Sequence, residues 1–117
     1  TYARSICDGL KTIEWRSRQT SHRGLVAIHA AKPVGAIIGL AEIIGCEDLG
    51  APTFWPDLAG LAIPGNQNPH IDRWPIAWLL QNARYLPTPI PCRGNLGLWE
   101  VPADVLRQIT DSPGLPR

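Results

Sequence analysis

Hydrophobic and polar positions along this chain change period several times, and each change marks an element. Ile6 and Leu10 lie one helical turn apart, so Tyr2 to Asp8 reads as a short helix stopped by Gly9. From Thr12 to Arg16 the period falls to two. Ile13 and Trp15 share one parity and Glu14 and Arg16 the other, the alternation of a strand with one dry face. Ser17 to Gly24 is polar and ends in a turn at His22, Arg23 and Gly24. Leu25 to Ala30 is apolar on both parities, too apolar for a strand edge facing only water. Lys32 to Gly35 connects it to a third strand, Ala36 to Cys46, in which Gly39 predicts a bulge or tight bend.

At Glu47 the texture changes. Pro52, Pro56, Pro64 and Pro69 alternate with Gly50, Gly60 and Gly65, which predicts an insertion or lid over about residues 47–75, with a short helix around Asp57 to Leu61. Ile76 to Gln81 is apolar enough for a strand or one helical turn, and the prolines of Tyr85 to Pro91 predict an extended connection. Leu96 to Val101 reads as a final strand. Pro102 to Ile109 reads as a helix with Val105, Leu106 and Ile109 on one side, and the tail from Asp111 should fray. Short strands with a few small helices predict a single α+β, barrel-like domain spanning residues 1–117.

At 117 residues the chain can bury one core and not two. Its longest apolar stretch, Ala36 to Ile44, is broken by Gly39 and Glu42, so no segment spans a membrane, and charges throughout residues 1–15 argue against a secretory signal. Cys7, Cys46 and Cys92 are odd in number and far apart, which indicates neither a disulfide framework nor a zinc knuckle and suggests a reducing, cytoplasmic setting. His22, His29 and His70 share no ligand spacing with each other or with the cysteines, so no metal and no cofactor is expected.

The net charge of +1 hides an asymmetry. Residues 1–35 carry six cations against Asp8 and Glu14; residues 36–72 carry five acids and no Lys or Arg. That argues against broad coating of a duplex and allows a local basic cleft. Within the basic part, Lys11, Glu14 and Arg16 fall within six residues, directly after a glycine turn. A lysine, a carboxylate and a guanidinium so close suit a polar or anionic ligand such as a nucleotide. A solvated strand edge with a local ion pair accounts for the same spacing.

These residues have a familiar arrangement. Gly9-x-Lys11-x-x-Glu14-x-Arg16 resembles the GxKxxExR signature of the ASCH domain, a branch of the PUA-like superfamily. Tyr2, Ala3 and Ile6 resemble that family's P-[YW]-A-x-x-I lead-in. Arg23 to Ala30 resembles its strand of the form RG-apolar-IHA, Ala36 to Gly39 the next strand, and Gly94 to Val101 the closing one. The resemblance implies a PUA-like β-barrel with short flanking helices and a cleft beneath the signature. It also implies binding of single-stranded RNA or a modified nucleotide. Tyr2, Lys11, Glu14, Arg16, Arg23 and His29 are the ligand-contacting candidates, although for His29 a structural role is the commoner one for a lone strand histidine. The family opens with a strand ahead of its lead-in, and this sequence starts at Thr1. Without that strand a barrel edge would stand unpaired, which favours aggregation or dimerisation.

One group in the family resembles acetylcytidine amidohydrolases, with the motif G-x-K-T-x-T-x-R. Lys11 and Thr12 match, but Glu14 stands where the nucleophilic threonine would be, and a carboxylate does not replace an activated hydroxyl in acyl transfer. Hydrolysis of an N-acylated cytidine or of RNA, with Lys11 and Glu14 as catalytic groups, is therefore the second reading. A module that binds a protein partner through the proline-rich segment is the third. Trp55 and Trp74 are candidates for a stacking wall or for anchors of that segment.

Overall fold

The alternation at residues 13–16 does form a strand, and it lies at the edge of a five-stranded antiparallel sheet. The computed structural model describes residues 2–50, 61, 63–92, 98–100 and 107. Helix α1 (Tyr2–Cys7) is followed by β1 (Ile13–Arg16), β2 (Gly24–Ala30), β3 (Ala36–Asp48), β4 (Ile76–Pro91) and β5 (Leu98–Glu100). Their order across the sheet is β1-β4-β3-β2-β5. Among the described residues this sheet is open, with β1 and β5 as its two edges, rather than a closed barrel.

β2 is buried on both parities because both faces of the sheet are covered. Val26, Ile28 and Ala30 face α1 and pack with Ile6, Cys7, Ile38, Ala41, Ile43 and Leu80. Ala27 turns the other way, to Ile37, Leu40 and Leu86. A third cluster, Ile13, Leu49 and Ala77, with Trp15 and Ile71 against it, holds β1 onto β4 and the segment before β4.

Gly39 lies at a register shift between β3 and β4, as its place in an apolar strand predicts. The structure adds why no larger residue fits. A methyl group there would run into the Arg84 carbonyl and the Cys7 thiol, so the glycine is where α1 rests on the sheet.

Tyr85 to Pro91 is not a separate connection but the second half of β4, paired with β3 through Ile90 opposite Ile37. Prolines survive there for two reasons. Pro91 is of opposite parity to Cys92, whose N–H donates to the Gly35 carbonyl at 3.1 Å, so its missing donor falls on the side away from β3, beyond the pairing with β1. Pro87 and Pro89 lie in the register shift between Tyr85 and Ile90, where no ladder bond is asked of them. The helices expected at Asp57 to Leu61 and Pro102 to Ile109 lie outside the described residues, apart from Leu61 and a helical Arg107.

Replacing Gly39 by alanine should lower stability by about 1–3 kcal/mol, because backbone on one side leaves no room to give. Thermal unfolding should show a fall of at least about 4 °C. An unchanged Tm would mean that α1 does not rest on the sheet at this point.

Candidate ligand-binding cavity

The turn that presents Lys11 is built by the end of α1. Gly9 N–H donates to the Ile6 carbonyl (3.0 Å) and Leu10 N–H to the Ser5 carbonyl (2.9 Å), the paired bonds of a Schellman cap around a left-handed Gly9, φ +78°. Lys11 N–H also reaches the Ser5 carbonyl, at 3.1 Å. The lysine is thus fixed to the helix end before the strand begins.

The strand's start is fixed by a residue that the sequence pattern did not single out. Asn66, in a short 3-10 turn (Pro64–Asn66), is only 1% exposed. Its Oδ1 accepts from the backbone N–H groups of Thr12 (2.7 Å) and Ile13 (3.0 Å), and its Nδ2 donates to Thr12 Oγ1 (2.8 Å). The Asn66 carbonyl accepts from Trp15 Nε1 at 2.9 Å. The one signal in the sequence was an asparagine following Pro64 and Gly65, which reads equally well as ordinary turn composition.

α1, β1, the end of β2, the β2–β3 turn and residues 65–74 together enclose a cavity of about 680 Å³. The structure brings Tyr2, Lys11, Glu14, Arg16 and His29 to its wall, and adds Trp74 and Lys32. Arg23 is not brought there. Its Nη1 donates to the carbonyls of Thr20 (2.8 Å) and His22 (2.9 Å), within its own loop. Trp55 lies outside the described residues. Trp74 is 41% exposed, with the His70 ring edge-on at 5.9 Å and the Arg73 guanidinium 5.7 Å from its ring centre. Among the described residues no group of three or more His, Cys, Asp or Glu could hold a metal ion, and no helix is long and apolar enough to cross a membrane.

The sequence model of the ASCH domain matches residues 1–86, most of the chain. The chain belongs to the ASCH domain family. Among solved structures it is similar to ASCH from Zymomonas mobilis, at a TM-score of 0.68 and 19% identity over 93% of this chain and 87% of that one. It is also similar to a single-site variant of the same protein, at a TM-score of 0.61 and 18% identity over 93% and 89%. Both likenesses concern the fold. No curated protein matches the chain.

In this ASCH domain the signature lysine is buried, 6% exposed. Its Nζ donates to the Ile13 carbonyl at 2.6 Å and sits 5.6 Å from the centre of the Tyr2 ring. Burial pulls the ammonium below the ordinary lysine range; Glu14's charge opposes that shift and Arg16's adds to it. The ion pair within the signature is Glu14 with Arg16, at 3.9 Å, and the Arg16 guanidinium lies 5.1 Å from the Trp78 ring centre. An ammonium has three donors, and one is used on Ile13, so Lys11 can still donate into the cavity.

His29 both lines the cavity and has a structural bond, its Nε2 lying 2.6 Å from the Cys92 carbonyl. That carbonyl can only accept, so Nε2 is the donor in this bond. Thr12 is not on the cavity wall, and its hydroxyl already accepts from Asn66.

Two outcomes test this arrangement. Asn66→Ala should cost about 2–3 kcal/mol, since it orphans two backbone donors, and should speed amide exchange at Thr12 and Ile13. Unaltered exchange there would remove Asn66 from its organising role. The second concerns pH. Between the lowered folded-state pKa of Lys11 and about 10.4, an unperturbed lysine's value, the unfolded chain keeps a proton that the folded chain has released. Stability from this group therefore rises with pH across that window. Cys7, pushed up to about 11 by burial and by Asp8, acts in the opposite sense, so the difference between wild type and Lys11→Met is the quantity to follow. Near neutral pH the two proteins should differ by less than about 1 kcal/mol, and wild type should gain on the variant as pH rises. A difference independent of pH would mean that Lys11 is not desolvated.

Proposed function

We propose that this ASCH domain binds single-stranded RNA or a modified nucleotide by taking one base into the cavity. The observation that carries the reading is the wall itself: aromatic rings, a buried ammonium with donors to spare and a carboxylate around one space of about 680 Å³. Volumes of that order hold small organic ligands, and the enclosure admits a splayed base rather than a duplex. Tyr2 and Trp74 offer stacking faces, Lys11 donates to a base carbonyl, and Glu14 accepts from an amino group while Arg16 holds it in place. RNA binding on a PUA-like fold is what the family resemblance implies. Three free thiols among the described residues are in keeping with a reducing, cytoplasmic compartment.

The lowered pKa of Lys11 favours one second reading, a hydrolase with Lys11 as general base and Glu14 beside it, acting on an N-acylated cytidine or on RNA. The absence of Thr12 from the wall and the carboxylate at position 14 weigh against acyl transfer.

A labelled single-stranded RNA titrated at two salt concentrations, with anisotropy as readout, should bind saturably and more weakly at the higher salt. Lys11→Met and Tyr2→Ala should each weaken binding about tenfold, the loss of a charged hydrogen bond or a stacking face. No binding at either salt, or full affinity in both variants, would reject the reading. Turnover of acetylcytidine or of a short RNA that disappears in Lys11→Met would put the hydrolase in its place.

A further inference from the structure

We infer that the cavity takes a nucleoside monophosphate whole, with the phosphomonoester at its exposed end against Lys32. The inference rests on the reading that the cavity binds a nucleotide, and names the form of nucleotide and the residue that selects it. Among the described residues three cations, Lys11, Arg16 and Lys32, and one carboxylate, Glu14, line the cavity, leaving a charge of +2. Glu14 and Arg16 are paired at 3.9 Å, so the uncompensated charges are Lys11 and Lys32.

These two lysines differ in surroundings. Lys11 is buried and already tied to the Ile13 carbonyl, and a phosphate dianion brought to it would have to shed its water. A neutral carbonyl makes no such demand. Lys32 is exposed and, among the described residues, has no hydrogen-bond or ion-pair partner. Its backbone is nonetheless held in place. Val34 and Gly35 N–H donate to the Ala31 carbonyl at 3.1 and 3.4 Å, and Cys92 N–H closes onto Gly35. An exposed cation on a fixed turn of the cavity wall suits a group that keeps part of its hydration. A phosphomonoester carries about −1.5 to −2 at pH 7, against −1 for the diester of an RNA chain, and so matches the +2 lining better. The ligand class is therefore a mononucleotide or the phosphorylated end of a strand, rather than an internal position.

Trp15 and Trp74 line the cavity, so intrinsic fluorescence reports occupancy. Cytidine and adenosine, and their 5′- and 3′-monophosphates, would be titrated at low and high salt beside the labelled RNA. A monophosphate should bind about tenfold tighter than its nucleoside at low salt, about 1.4 kcal/mol, and the ratio should shrink at high salt. In Lys32→Gln the ratio should fall close to one. In Arg23→Gln, which removes the same charge outside the cavity, it should persist. Equal affinity for nucleoside and monophosphate, or a ratio that survives Lys32→Gln, overturns the phosphate site and leaves nucleotide binding standing. RNA binding without any mononucleotide binding does the same. If neither RNA, nucleoside nor monophosphate binds, the cavity reading falls and the phosphate site falls with it.

Discussion

A buried side-chain amide fixes the geometry on which the rest of the site depends. β1 is an edge strand of four residues, with a β partner on one side only. The two N–H groups at its start would otherwise have to be met by water or left unmet, at a cost of about 1–3 kcal/mol each where buried. Asn66 answers both from the far end of a proline-rich segment, and its own carbonyl holds the Trp15 ring in place. The contact acts in the other direction as well. By seating Asn66 it brings residues 67–74, including Trp74, over β1 as the second wall of the cavity. Gly65 shows how close the approach is, since a methyl group there would strike the Leu10 carbonyl. The same few atoms thus order an edge strand and enclose a ligand space.

Placing Lys11 in this frame has an energetic cost. An ammonium that is nearly inaccessible forfeits hydration, and one hydrogen bond to the Ile13 carbonyl restores only part of it. The Tyr2 ring face adds a weak cation–π attraction, limited because Tyr2 itself is 79% exposed. Nothing in the hydrophobic clusters needs a charge at this position, and a methionine would fill much the same volume. Burying an ammonium at the wall of a cavity is thus a cost that the packing of the core does not require. The Glu14–Arg16 pair tunes the site without neutralising the lysine, because the carboxylate pairs with the guanidinium and not with Lys11.

Much of this was legible in the chain because it depends on local rules. Period-two alternation at residues 13–16, the glycine stop at Gly9 and the glycine inside an apolar strand at Gly39 all act over a few residues, and each element formed where its pattern lies. Five of the six candidate contacts converge on one cavity, since the signature's spacing and the apolar strand at residues 25–30 carry their geometry with them. What was not legible depends on partners distant in sequence. Pro87, Pro89 and Pro91 look like strand breakers until the register shift against β3 and the missing neighbour on the other side are known. Arg23 belongs to a basic stretch, yet its side chain reaches two carbonyls within its own loop before it reaches any cleft. Asn66 meets Thr12 across 54 residues, and no window of sequence contains both. The open sheet has the same origin, because closure is a relation between the first and last strands.

The charge asymmetry along the chain gains its meaning from the same topology. Glu42 lies in the middle of β3 and is bonded to Asn82 Nδ2, and Asp48 caps the strand's end at the Gly50 N–H. Neither residue lines the cavity, where the one carboxylate among the described residues, Glu14, comes from the basic part of the sequence. The hairpin of β2 and β3 turns at residues 31–35, which puts Lys32 on the cavity wall, while the acidic end of β3 lies level with β1, since Ile76 of β4 pairs with Asp48 on one side and Arg16 on the other. A chain with almost no net charge thereby presents a cavity whose described lining is positive, with Glu42 and Asp48 outside it. Screening limits the reach of exposed charges to about 8–10 Å at physiological salt, so the charges on the cavity wall itself weigh most on anything within it. The charge of the cavity wall is therefore set by which residues the fold brings together there, and the overall charge of +1 has little say in it.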